Sequence, residues 1–115
     1  MTAVLPRRGE VWQVNFNPAR GSEQAGLRPA LVIQNDVGNE FAATTIVAAI
    51  TTTLKAYPVT VLLKRGEAGL REPSMVNLAQ ILTVDKIRLH RRVGRLSAER
   101  LARVDAALRV SLAVG

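Results

Sequence analysis

The stretch GSEQAGLRP, residues 21–29, sets a carboxylate, Glu23, an amide, Gln24, and a guanidinium, Arg28, in one short segment punctuated by two glycines. A planar guanidinium can hold two oxygens of a phosphate at once. A carboxylate five positions earlier can accept a proton or fix that guanidinium in place. Gly21 and Gly26 permit backbone angles that other residues resist, and they let the segment move over a substrate. The apolar run ALVI follows immediately. A polar, mobile segment directly before a core strand is either a plain surface connection or the working part of the molecule. The plainer role for Arg28 is to anchor its own loop to Glu23.

The remaining composition narrows the chemistry. Cysteine is absent, which excludes disulfides and thiolate metal sites. His90 is the only histidine, so a His-rich metal cluster and a two-histidine acid–base pair are excluded; in LHRRVG it reads as a surface residue or minor contact. The paired carboxylates of a glycosidase, HExxH and Walker-type loops are all missing. No apolar run approaches the roughly 18 residues of a membrane span, and MTAVLPRRGE turns charged too soon for a secretory signal. A soluble, cytoplasmic protein without a membrane partner is expected. Lys and Arg number 16 against 9 Asp and Glu, a net charge of +7. That imbalance favours a polyanion, most simply nucleic acid, although a basic chain can also be merely soluble. With only Trp12, Phe16, Phe41 and Tyr57 as aromatics, base stacking on rings is a poor basis for binding. Phosphate contacts and polar base contacts must carry it.

The length of 115 residues suits one domain, 1–115. GEVWQVNF alternates, with Trp12, Val14 and Phe16 on one face, and predicts a strand half buried on a core. A long connection follows. PALVIQND, residues 29–36, predicts a strand buried on both faces, ending in a turn, VGNEFAA, shaped by Asn35 and Asp36. TTIVAAITTT (44–53) and PVTVLLK (58–64) predict two more strands, and KRGEAGLREP a turn. SMVNLAQILTV (74–84) reads as one or two short strands, DKIRL as a helical turn and RRVGRL as a last strand. From Ser97 the period becomes helical through Ala98, Leu101, Val104, Leu108 and Leu112. Ser97 is placed to cap that helix, with Glu99 in its first turn. The fold class expected is mainly β with a C-terminal helix, a small, strongly curved SH3-like β-barrel.

RGEVWQVNFNP, GSEQAGLRPALVIQND, TTIVAAITT, GL (69 and 70) before SMVN, QILTVDKIRL and AALRVSLA resemble the MazF/PemK family of toxin endoribonucleases, from Arg8 to about Ala113. The resemblance implies the plasmid-maintenance toxin fold shared with CcdB, a homodimer, and cleavage of single-stranded RNA at short sequences without metal or other cofactor. It implies products with a 2′,3′-cyclic phosphate and a 5′-hydroxyl, and inhibition by a co-encoded antitoxin.

Such a cleavage needs an acceptor for the 2′-hydroxyl proton, an acid for the leaving 5′-oxygen, and donors for the charged phosphorane. By resemblance Arg28 matches the family's catalytic arginine and Thr51 its catalytic threonine. A free guanidinium titrates above pH 12, so charge stabilisation is the role assigned to Arg28. Thr51, at the end of the TTIVAAI strand, can donate its hydroxyl to a further oxygen. It can equally be an ordinary strand residue, with Thr52 and Thr53 beside it. Glu23 is a candidate base or loop support, and Gln24 can read a base edge. Lys86, Arg88, Arg91, Arg92 and Arg95 cluster with only Asp85 nearby, as an RNA groove or as a solvated face. Leu108 and Leu112 can pack on the barrel or on a second subunit. Two rivals remain: a non-enzymatic toxin of the same fold acting on a protein such as DNA gyrase, and a passive RNA-binding barrel. Arg28 and Thr51 in matching context argue against the first, scarce aromatics against the second.

Overall fold

β-branched and apolar residues dominate the runs that become strands, because such side chains fill the pleated surface of a sheet. The computed structural model describes residues 4–16 and 26–115. In chain order these form β1 (Glu10–Asn15), β2 (Leu27–Val32), a short helix α1 (Asp36–Phe41), β3 (Thr44–Thr51) and β4 (Thr60–Leu63). A 3-10 turn (Glu67–Gly69), β5 (Ser74–Asp85), a second 3-10 turn (Lys86–Arg88), β6 (Leu89–Arg95) and the helix α2 (Ala98–Leu112) complete them. The strands make one antiparallel sheet in the order β4-β5-β3-β2-β1-β6.

Both faces of this sheet are covered. Val11, Leu31, Ala48, Ile50, Val76 and Leu78 form one buried cluster, which α2 seals with Val104 and Ala107. Val14, Ala30, Val32, Val47, Val84 and Leu89 form a second, with Trp12 and Phe16 packed against it. Trp12, Val14 and Phe16 do share a face, as the alternation predicts, but β1 is not half exposed: Val11 on the other face is also buried. Curvature of one sheet into a barrel-like shape lets alternate residues of a strand reach separate cores.

Several boundaries differ from expectation. β2 begins at Leu27 and ends at Val32, so Arg28 belongs to the strand rather than to the loop before it. The segment expected as a turn is the helix α1. Asn35 caps it by accepting the Gly38 N–H at 2.8 Å, and Asp36 accepts the Arg8 N–H at 2.7 Å. Buried Asn39 then ties the corner together, its Oδ1 accepting from Thr45 Oγ1 at 2.6 Å and from Gln34 Nε2 at 3.0 Å. Glycine and valine in VGNEF hide the helix from propensity; the caps decide it. β5 is one strand of 12 residues with a register shift opposite Ala48/Ala49. In α2, Ser97 caps as expected by accepting the Arg100 N–H at 3.2 Å. Its buried residues are Val104 and Ala107, with half-buried Leu101 and Leu108 packed beside them, whereas Leu112 is exposed.

The outer strands β4 and β6 do not hydrogen-bond to each other. The sheet closes instead through the segment between β4 and β5. A Cβ at Gly69 would lie 2.2 Å from the Val93 carbonyl oxygen, and one at Gly94 would lie 2.3 Å from the Ala68 carbonyl oxygen. Two backbones therefore touch where only glycine fits, and Gly69 also has φ +78°. Glu67 fastens the same segment to α2: its carboxylate accepts from Arg100 Nε and NH2, both at 2.9 Å, and from the Lys64 N–H.

Gly94→Ala should therefore overpack this seam, costing about 1–3 kcal/mol. A melting temperature lowered by roughly 5–15 °C is expected from that loss, with the control Gly66→Ala, which meets no neighbour within 4 Å but has φ +90°, costing less. An unchanged Gly94→Ala melt contradicts the close approach. Acid should also loosen the fold. The Arg100 guanidinium holds the Glu67 carboxyl below its ordinary value of 4.5. For Glu10, burial pushes upward, but hydrogen bonds from Trp12, Arg7 and Arg92 outweigh it and leave the carboxyl below 4.5. The Arg8 N–H does the same for Asp36, below 3.8. Carboxyls depressed on folding stabilise above their unfolded values and lose that contribution as pH falls through the folded ones. The melting temperature should hold from neutrality to about pH 5 and then drop, less steeply in Glu67→Gln. A melting temperature that rises on acidification contradicts this.

Candidate active site at the end of strands β2 and β3

β2 and β3 pair through Ala30↔Ala49, Leu31↔Ala48 and Val32↔Val47. Continuing that register two positions beyond Ala30 sets Arg28 opposite Thr51. Between Ala30 and Arg28 lies Pro29, which has no N–H to extend the ladder. A cavity of about 140 Å³ opens there, lined by Arg28, Pro29, Ile50, Thr51, Thr52 and Ser74. The pair singled out in the sequence thus shares one cavity.

The two side chains arrive differently. Arg28 is exposed on β2, whose pairing of Val14 with Arg28 fixes its backbone against β1. No carboxylate among the described residues forms an ion pair with it. Thr51 is the last residue of β3, and its Oγ1 accepts the Thr53 N–H at 3.1 Å. A hydroxyl has one proton to give and two lone pairs, so accepting from Thr53 leaves its proton for another acceptor. Thr53 is therefore placed to orient the hydroxyl of Thr51, which separates these otherwise similar threonines. The hydrogen bond from the Phe16 N–H to the Gly26 carbonyl, 2.9 Å, pins the base of the β1–β2 connection next to Arg28. Glu23 and Gln24, with Gly21, fall outside the described residues.

A second cavity, of about 440 Å³, adjoins the first and shares Pro29, Thr52 and Ser74 with it. Gln13, Gly69, Leu70, Arg71, Glu72, Arg91 and Val93 form the rest of its wall. Cross-strand pairing places Gln13 beside both Pro29 and Arg91. Ser74 is buried, and its Oγ donates to the Glu72 carbonyl at 2.9 Å, which holds the Glu72 backbone at the rim.

The basic cluster expected over residues 86–95 divides. Arg91 lines the larger cavity. Lys86 Nζ donates to the Asn39 carbonyl, and Arg88 NH1 to the Asn15 carbonyl at 3.2 Å; neither borders the two cavities. Arg92 pairs with Glu10 at 3.0 Å across the β1–β6 ladder, so Asp85 is not the only acid near the cluster. His90 is exposed on β6. Arg71, Glu72, Ser74 and Gln13 were not singled out from the sequence. Nothing local marks them, since their convergence depends on how the β4–β5 segment folds back on β6. Among the described residues no three His, Cys, Asp or Glu side chains are grouped to hold a metal ion, and no helix is long and apolar enough to cross a membrane.

Similar sequences and folds are found among known proteins. A family model described as PemK-like, MazF-like toxin of type II toxin–antitoxin system matches residues 7–112. Endoribonuclease EndoA of Bacillus subtilis (strain 168) is 42% identical over 113 residues, covering 96% of this chain and 97% of that protein. Among solved structures, MazF (Form-I) from Deinococcus radiodurans is 29% identical, with a TM-score of 0.76 over 96% of this chain and 98% of that one. An endoribonuclease in complex with its cognate antitoxin from Mycobacterial species has a TM-score of 0.82 at 24% identity, covering 96% and 97%, a likeness of fold. With a family model spanning nearly its full length and a close relative along the same span, the chain belongs to the PemK-like, MazF-like toxins of type II toxin–antitoxin systems.

Proposed function

We propose that the protein is the toxin endoribonuclease of such a system, cleaving single-stranded messenger RNA at short sequences in the cytoplasm and thereby halting translation. The observation that carries this reading is the cavity bordered jointly by Arg28 and Thr51, in a chain closely related to an endoribonuclease. The substrate's 2′-oxygen attacks the adjacent phosphorus, and the bond from phosphorus to the 5′-oxygen breaks. The 2′-hydroxyl proton leaves to an acceptor, for which Glu23 is the candidate, and a proton reaches the departing 5′-oxygen. The products are a 2′,3′-cyclic phosphate and a 5′-hydroxyl.

Arg28 holds two oxygens of the phosphorane and Thr51 donates its remaining proton to a third position. Charge stabilisation of this kind needs no metal ligand set. The toxin works as a homodimer and is neutralised by a co-encoded antitoxin. Support for self-association comes from exposed Leu62 and Val110, which line one groove beside β4, a strand whose outer edge is unpaired among the described residues.

The test is to incubate a long RNA with the protein in EDTA and map the cut ends. Wild type should leave 2′,3′-cyclic phosphates. Arg28→Ala should abolish cleavage without lowering the melting temperature, because the side chain is exposed. Thr51→Ala should slow cleavage about 100-fold or more, the usual cost of one well-placed donor. Cleavage that returns only with magnesium, or normal cutting by Arg28→Ala, overturns the mechanism.

A further inference from the structure

The larger cavity has features that phosphorane chemistry at Arg28 does not use. Its 440 Å³ falls in the range of about 300–1,000 Å³ typical of ligand sites, ample for one nucleotide. Arg71 and Arg91 border it, and among the described residues neither forms an ion pair. By contrast, Arg8, Arg92 and Arg100 elsewhere on the molecule are each matched to an acid. The two cations come from opposite sides of the seam, Arg71 from the β4–β5 segment and Arg91 from β6. Leu70 and Val93 supply apolar wall between them. One acid, Glu72, stands in the same wall. It is the wrong charge for a phosphate and the right acceptor for the exocyclic amino group of a base.

We propose that this cavity is a second nucleotide subsite, adjoining the scissile one. In it Arg71 and Arg91 hold the flanking phosphate, and Glu72 selects a base that carries an exocyclic amino group. Adenine, cytosine and guanine each present such a donor and uracil does not. Single-stranded RNA exposes these edges, which is how proteins read it. Gln13, paired across the sheet with Arg91, adds a donor and an acceptor beside the phosphate. The shared wall of Pro29, Thr52 and Ser74 sets this subsite directly next to Arg28 and Thr51, so the base held there lies beside the bond cut. This deepens the endoribonuclease reading and rests on it.

Two measurements test the subsite. The first is binding of a randomised 2′-O-methyl RNA pool, which cannot be cleaved through its 2′-oxygen, over a series of salt concentrations. The doubly substituted Arg71→Ala/Arg91→Ala protein should bind at least several-fold more weakly than wild type. Its dependence of log affinity on log salt should flatten by about 0.7, the value for one phosphate contact on a single strand. Both side chains are exposed, and a thermal melt checks that the fold is kept. The second is cut-site sequencing on a long RNA with wild type and Glu72→Gln. One position beside the cut should exclude uracil in wild type and admit it in the variant. An unchanged salt slope, or identical cut-site preferences, overturns the subsite. These results separate from the parent reading: wild type that binds the pool with the expected slope but leaves RNA intact sinks the nuclease assignment alone.

Discussion

Two glycines that touch across a seam govern the shape of this molecule. Gly69 and Gly94 let the segment between β4 and β5 lie against β6 at backbone contact, each occupying a spot where a Cβ would strike a carbonyl oxygen. That contact stands in for the hydrogen bonds which β4 and β6 do not make. It curls the sheet enough for α2 to seal one core while the other core fills the opposite face. Glu67 and Arg100 then lock the segment to the helix with two parallel hydrogen bonds. The same close approach leaves Leu70, Arg71 and Glu72 standing beside Val93 and Arg91, which makes the wall of the larger cavity. Closure and site are one construction.

Strand ends supply the other half. The β2–β3 ladder stops beside a proline, and the residues that would continue it, Arg28 and Thr51, are free to face a ligand instead of each other's backbone. Each is nonetheless fixed by its neighbours: Arg28 through the β1 pairing, Thr51 through the Thr53 N–H. Rigid elements hold side chains in place more tightly than loops do. The arginine sits on a strand, next to the hydrogen-bonded base of a connection that carries Glu23.

Period and composition revealed the strands of residues 10–15, 44–51 and 60–63 and the C-terminal helix, because each has a pattern that its own residues complete. They missed α1, where Asn35 caps the first turn, Asn39 accepts from Thr45, and the Arg8 N–H reaches Asp36 from 28 positions upstream. They also misplaced the start of β2, since Leu27 and Arg28 look like loop until Val14 and Asn15 pair with them. Family resemblance singled out Arg28 and Thr51, and the register sets the two opposite each other at one cavity. Arg71, Glu72 and Ser74 were illegible because nothing local distinguishes a turn arginine that meets solvent from one that meets a cavity. Lys86 and Arg88 show the reverse: prominent in the sequence, they reach backbone carbonyls away from both cavities.

RNA bound to this protein should sit in the cavity at the end of β2 and β3. NMR titration of isotopically labelled protein with a short 2′-O-methyl RNA locates it most directly. Shifts confined to the amides of residues 26–28, 51–53, 69–72, 74 and 91–93 are the predicted result. Shifts centred instead on the groove between β4 and α2, lined by Tyr57, Leu62, Arg103 and Val110, would put the RNA elsewhere and rule out the cavity at Arg28 and Thr51.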